Sequence, residues 1–158
     1  MNCTVKRMLA CLCLLLCAAL LAGCGEKKPA NYRDGEYEGR SEPHVFEVVD
    51  EEDDEDSNAD GYGVVKLTIK DNVITACEFA TYDLDGNFKD EEYGTKRGEV
   101  ANRDFYNKAK KAFLACGMYA EQLVETNDID KVDCISGATY NYHDFKDAVK
   151  DALNKAKE

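Results

Sequence analysis

Asp133-Cys134-Ile135-Ser136-Gly137-Ala138-Thr139 is the stretch of this chain whose residue types and spacing point most directly to chemistry. It lies between an extended run and a final amphipathic pattern. Thr139 offers a hydroxyl on a loop of small residues. Gly137 and Ala138 leave the backbone open to close approach by a ligand. A helix beginning within a residue or two of Thr139 presents unpaired N–H groups and about half a positive charge, which favour a phosphate. The same residues also suit a plain turn in which Ser136 or Thr139 caps the helix. Local chemistry leaves both readings open. Cys134 beside the loop is expected to point into a core, with a thiol–ligand contact as the alternative. His143 is expected on the solvent face of the helix, with a phosphate contact as its alternative.

The chain's first residues set the compartment. Lys6 and Arg7 precede an uncharged apolar run from Leu9 to Leu21. That is shorter than the roughly 20 residues a spanning helix needs, and it suits a signal segment. Leu21-Ala22-Gly23-Cys24 resembles a bacterial lipobox, which implies a leader at 1–23, a diacylglycerol on Cys24 and a location on the extracytoplasmic face of the cell membrane. Two acyl chains give the stable anchoring that one does not. An ordinary secretory signal is the plainer alternative. Residues 24–33 then form a lipidated tether.

The formal net charge is −12, and loss of Lys6 and Arg7 with the leader takes it to −14. Such a chain is not expected to bind nucleic acid or anionic lipid through its surface. Of eight cysteines, Cys77, Cys116 and Cys134 remain in the domain, with no CxxC spacing to suggest zinc. They are expected as three buried free thiols, although one disulfide is compatible with this compartment.

The elements that must position Thr139 follow from periodicity. Asp34–Gly39 reads as a turn leading into a first strand, and His44–Val49 as a second extended piece. The acidic loop 50–60 carries Asp50 to Asp56 without interruption, so it is solvated. Val65, Leu67 and Ile69 alternate with polar partners in a strand over 64–70. Asp71-Asn72 is the turn, and 73–81 the returning strand. Phe88–Gly98 reads as a charged loop. Phe105, Ala109, Ala112, Phe113 and Cys116 predict a helix over 102–116 stopped by Gly117. A shorter helix over 119–125 and an extended run over 129–135 follow. The last helix is expected over 141–157, with Tyr142, Phe145, Ala148, Val149, Ala152, Leu153 and Ala156 on its buried face. Strands first and helices second define an α+β fold: an antiparallel sheet packed with helices in a single compact domain over 34–158.

Asp133-x-x-Ser136-Gly137-Ala138-Thr139 resembles the flavinylation motif of the FMN-binding domain family. That family includes flavin-carrying subunits of sodium-pumping and ferredoxin-oxidising respiratory complexes, and small surface lipoproteins of extracellular electron transfer. Asp34-Gly35-x-Tyr37-x-Gly39 is similar to the domain's opening. Gly61-Tyr62-Gly63 and Lys70-Asp71-Asn72-Val73-Ile74 are similar to its central hairpin. Lys89-Asp90-Glu91-Glu92-Tyr93-Gly94 and Tyr142-x-x-Phe145 resemble the lipoprotein branch. The resemblance implies FMN, derived from FAD by a separate flavin transferase and joined to Thr139 as a phosphodiester. Asp133, Ser136, Gly137 and Ala138 would be the surrounding motif residues. Tyr140 is the adjacent candidate to cover the flavin ring, with Tyr62, Tyr82 and Tyr93 as further ones. The expected partners are the transferase, a membrane electron donor and an unidentified acceptor. The protein would be a carrier and not an enzyme.

The alternative is a non-redox surface lipoprotein that binds divalent ions or a protein partner. Asp56-Ser57-Asn58-Ala59-Asp60-Gly61 matches the first half of a calcium loop. The position that should be a bidentate Glu is Leu67, which argues against a specific site.

Overall fold

The computed structural model describes residues 31–45 and 60–157. The expected leader, Cys24, most of the tether, residues 46–49 of the second extended piece and the acidic run up to Ala59 lie outside them. Strands β1 (Gly35–Arg40), β2 (Tyr62–Lys70) and β3 (Val73–Tyr82) precede helices α1 (Arg103–Thr126) and α2 (Thr139–Ala156). The sheet is antiparallel in the order β1-β2-β3. Both helices cover one of its faces, α2 over β1 and β2 and α1 over β3. This is the α+β domain that the order of strand and helix patterns predicts.

The β2–β3 hairpin forms where alternation places it. Asp71 and Asn72 both have positive φ, 52° and 64°. Two such residues make the turn whose twist matches antiparallel strands, and Asn and Asp tolerate that conformation. The Asp34 carboxylate accepts the Asp71 N–H at 2.8 Å, and Asn72 Oδ1 accepts the Tyr32 N–H at 2.9 Å. Tyr32 and Arg33, at the end of the expected tether, also join the C-terminal end of the chain. Tyr32 bridges Lys157, and the Arg33 N–H donates to the Ala156 carbonyl. Val65, Leu67, Ile69, Ile74 and Phe79 face inward against Ala115, Tyr119, Leu123, Phe145, Val149 and Ala152. Leu67 at the calcium-loop position is therefore core and cannot ligate an ion. Among the described residues, no helix is long and apolar enough to cross a membrane.

Three expected boundaries are wrong. Gly117 does not stop a helix: α1 continues to Thr126 as a single element. Glycine costs about 1 kcal/mol in a helix interior. Here it lies on the exposed side, while Ala115, Cys116, Tyr119, Ala120 and Leu123 bury the opposite side across the same turns. Core burial outweighs local propensity. The helix stops at Asn127, whose left-handed φ of 51° returns its N–H to Leu123. The Asn127 side chain accepts the Ile74 N–H at 2.6 Å and donates to the Ile74 carbonyl, tying α1 to β3.

The expected extended run over 129–135 begins as a single 3₁₀ turn, Ile129–Lys131. The Asp128 carboxylate accepts the Asp130 N–H and tightens the chain there. Only from Val132 is the backbone extended. The final helix starts at Thr139, two residues before the expected Asn141.

Gly39 sets how closely α2 approaches the sheet. A Cβ added there would fall on the Ala148 carbonyl oxygen and press on Ala152. Gly39→Ala should destabilise the domain by about 1–3 kcal/mol, since backbone cannot yield as a side-chain tip does. Chemical denaturation checks this, with Gly117→Ala, which meets nothing within 4 Å, expected to be neutral or stabilising.

Candidate functional site

The segment before α2 is held from beneath by side chains of both helices. Gln122 on α1 accepts the Asp133 N–H at 2.8 Å, and Tyr142 on α2 donates to the Val132 carbonyl at 3.0 Å. Ile135 to Ala138 then forms a tight turn, closed by the Ala138 N–H donating to the Ile135 carbonyl at 3.0 Å. Gly137 has φ 82° in this turn, a conformation glycine adopts without steric cost.

The Tyr119 hydroxyl joins the two ends of the turn. It accepts the Ile135 N–H and donates to the Ala138 carbonyl, each at 3.1 Å. Tyr119 is fully buried, and burial pushes its phenol up to about 12. It therefore remains a neutral donor under all ordinary conditions.

Thr139 is the first residue of α2 and is exposed. Ala138 occupies the cap position and supplies no capping bond, so neither Ser136 nor Thr139 serves as the N-cap. The helix start keeps its preference for an anion with no capping side chain over it. Cys134 does not point into the core as expected. Val132 is buried and Ile135 half-buried, which leaves Cys134 on the outer side. Its Sγ lies 3.9 Å from Thr139 Oγ1. His143 is exposed, as expected.

A cavity of about 490 Å³ opens beside Thr139, within the roughly 300–1,000 Å³ typical of small-molecule sites. The first half of α1 gives it an apolar wall of Phe105, Ala109, Ala112 and Phe113. Tyr62 and Thr81 come from the sheet, and Lys89 and Tyr93 from the loop after β3. Gly137, Ala138, Thr139 and Tyr140 line it too. Tyr140 is 58% exposed. Asp133 and Ser136 are exposed and do not line the cavity. Tyr82 lies behind it, stacked on Tyr62 with centroids 5.5 Å apart.

Several lining residues carried no distinct signal in the sequence. Asp144 is 7% exposed, and burial pushes its carboxyl up, opposed by His44 and Ser41. His44 Nδ1 lies 3.3 Å from Asp144 Oδ1, and the Ser41 hydroxyl donates to the same oxygen at 3.1 Å. Burial pushes the Lys89 ammonium down, while Asp144, Asp83 and Asp60 oppose the shift. Lys108 also lines the cavity, and the Lys111 side chain passes about 3.0–3.3 Å from where a Gly137 Cβ would sit. Three lysines thus gather near the loop of a strongly acidic chain. The helix start is not the only anion-favouring feature there. Asp144 had one legible sign: it falls four residues before Ala148, on the apolar stripe.

The donor set fits a flavin mononucleotide. A flat apolar ring system matches the wall of Phe105, Ala109, Ala112 and Phe113. Polar groups at the rim, among them Asn141, Lys89 and His44, match its hydrogen-bonding edge, and the small-residue turn and lysines match its phosphate. Among the described residues, no group of three or more His, Cys, Asp or Glu could hold a metal ion. Cys77, Cys116 and Cys134 are free thiols, of which only Cys116 is buried as expected, Cys77 being half-buried and Cys134 exposed; burial pushes Cys77 to about 12 and Cys116 to about 11.

A small α+β domain with an apolar cavity against a helix start defines a cofactor-binding module. The sequence profile of the FMN-binding domain matches residues 60–154, and the chain belongs to that family. It is thus an FMN-binding domain, in keeping with a flavin-binding electron carrier. In shape it is similar to the crystal structure of the CPE2226 protein from Clostridium perfringens, with a TM-score of 0.52 at 19% identity, covering 80% of this chain and 89% of that one. At this identity the likeness is one of fold. No curated protein matches the sequence.

The Tyr119 bridge has a pH signature. A phenol whose pKa is raised on folding binds its proton more tightly in the folded state. Its contribution is complete below the unfolded value of about 10 and is lost as pH rises toward 12. Urea midpoints should fall between pH 9 and 11 more steeply in the wild type than in Tyr119→Phe. At neutral pH that variant should be less stable by about 1–3 kcal/mol, because a buried carbonyl and a half-buried N–H lose a partner.

Proposed function

We propose that this protein is a membrane-anchored, extracytoplasmic electron carrier with FMN joined to Thr139 by a phosphodiester. The observation that carries this reading is the exposed Thr139 hydroxyl on the first residue of α2, at the edge of the flavin-sized cavity. The lipobox-like Leu21-Ala22-Gly23-Cys24 supports an anchor outside the cytoplasm. A cofactor held only by weak contacts would be lost there by diffusion, so a covalent bond has a physical purpose.

The attachment is a phosphoryl transfer. A separate flavin transferase with a bound metal ion would direct the Thr139 oxygen at the pyrophosphate of FAD. The hydroxyl proton leaves, the P–O–P link breaks, AMP departs and FMN remains on Thr139. Asp133 and Ser136, outside the cavity and exposed, are available to the transferase. Gly137 and Ala138 keep the approach to the hydroxyl clear.

Bound FMN supplies one- and two-electron chemistry; the chain's task is to hold and tune it. Lys111 beside Gly137 offsets the phosphodiester charge. Phe105, Ala109, Ala112 and Phe113 exclude water from the ring. Tyr140 is the ring cover nearest to Thr139. Electrons would come from a membrane donor and pass to an external or protein acceptor, which makes the protein a carrier and a substrate of the transferase.

The test is co-expression of residues 25–158 with a flavin transferase, followed by denaturing electrophoresis. We expect flavin fluorescence to stay with the protein band and to vanish in Thr139→Ala. Flavin released on denaturation would limit Thr139 to a phosphate contact. A colourless protein would sink the reading.

A further inference from the structure

The pocket holds a His44–Asp144 pair that flavin attachment does not use. His44 lies on the segment after β1, and its backbone is fixed on both sides. Its N–H donates to the Gly61 carbonyl at 2.8 Å, and its carbonyl accepts the Gly61 N–H at 3.1 Å. Its Nδ1 is 3.3 Å from the Asp144 carboxylate. Asp144 is itself held by the Ser41 hydroxyl, which also accepts the Gly63 N–H at 2.9 Å. The imidazole stacks on Tyr140, the neighbour of Thr139, with centroids 6.2 Å apart and planes 22° from parallel. His44, Asp144 and Tyr140 all line the cavity. A carboxylate at Nδ1 fixes the neutral tautomer that carries its proton there, so a second proton is received at Nε2.

From this geometry we infer that His44, positioned by Asp144, is the proton-binding group that follows the redox state of the bound flavin. The inference rests on the flavin reading above. Reduction of a bound flavin by two electrons and one proton from an external reductant would leave an extra negative charge in the cavity. His44 Nε2 then takes a second proton from solvent. Two electrons and two protons enter together, and reoxidation releases both protons. A negative charge close by raises the imidazole pKa; conversely, the imidazolium favours the reduced state. Among the described residues, the other titratable groups facing this space are Asp144 and Tyr140 from α2, Tyr62 from β2, Lys89 and Tyr93 from the loop after β3, and Lys108 from α1, with the buried Asp60, next to Gly61, acting on Lys89 and Tyr93. Carboxylic acids, phenols and ammonium groups ordinarily titrate outside the range of about pH 5 to 8 in which an imidazole does; burial moves the Asp144 carboxyl up and the Lys89 ammonium down toward it, so the imidazole signal itself is the readout.

The chain has two histidines, which makes the measurement direct. The full-length, flavin-loaded protein in detergent is titrated by NMR through the imidazole Cε1–H signals, oxidised and then reduced with dithionite. His143→Gln assigns the remaining signal. We expect the His44 pKa to rise by about one unit or more on reduction, with exposed His143 unmoved. An unchanged His44 pKa overturns the inference. Potentiometry gives a second reading. The wild-type potential should exceed that of His44→Gln at about pH 6, and the gap should close by about pH 8.5, where imidazole is neutral. A gap independent of pH also overturns it. Absence of flavin from the purified protein overturns the underlying reading, and this inference with it.

Discussion

The Tyr119 hydroxyl connects the core of this domain to its site. One buried oxygen accepts the Ile135 N–H and donates to the Ala138 carbonyl. Those two residues bracket Ser136 and Gly137, and Ala138 is the cap of α2. A turn of small residues has almost no side chains of its own with which to pack. Its shape must be set by groups reaching up from below. Tyr119 does this from a ring packed between Tyr142 and Phe145, with centroids 5.7 Å away in each case. Tyr119 thus couples order in the core to the turn before Thr139, beside Gln122 and Tyr142, which hold the segment leading into it.

The same arrangement divides α1 in two. Its second half is core: Ala115, Cys116, Tyr119, Ala120 and Leu123 are buried against the sheet and α2. In its first half Phe105, Ala109, Ala112 and Phe113 continue the stripe but are only half-buried, because they line a cavity. One amphipathic pattern thus serves packing at one end and ligand binding at the other. The long helix holds the two at a fixed distance. Interrupting it at Gly117 would uncouple the apolar wall from Tyr119 and the turn it supports.

Charge is distributed on a similar plan. The surface is acidic, but Lys89, Lys108 and Lys111 lie beside the cavity and the loop. Lys89 is half-buried, with its ammonium on the Asp60 carbonyl at 2.6 Å and 5.1 Å from the Tyr93 ring centroid. Asp144 lies deeper, paired with His44. Local charge at the site is therefore set by a few groups from five separate segments, and the net charge of the chain does not predict it.

Much of this protein follows from sequence because it rests on local rules. Val65, Leu67 and Ile69 alternate, so their strand has a buried face. Asp71-Asn72 tolerates the left-handed conformation that a two-residue turn demands. Asn102 caps α1 where the pattern begins. The loop from Asp133 to Thr139 was visible as small residues before a helix, and its resemblance to a flavinylation motif led to the family. Other features depended on contacts across the chain. Core burial carried α1 through Gly117 against its propensity. The outward turn of Cys134 followed from Val132 and Ile135 packing inward. Asp144 sat on an apolar stripe as an unexplained polar residue until the fold brought His44 and Ser41, 100 and 103 positions away, against it. Periodicity records which face of an element is buried, and it cannot record what that face meets. The sequence alone determined the strands, the hairpin turn and the place of Thr139 on a small-residue loop before a helix. Only the tertiary structure decided the cavity, its lysines and the His44–Asp144 pair, because each is assembled from segments that chain order keeps apart.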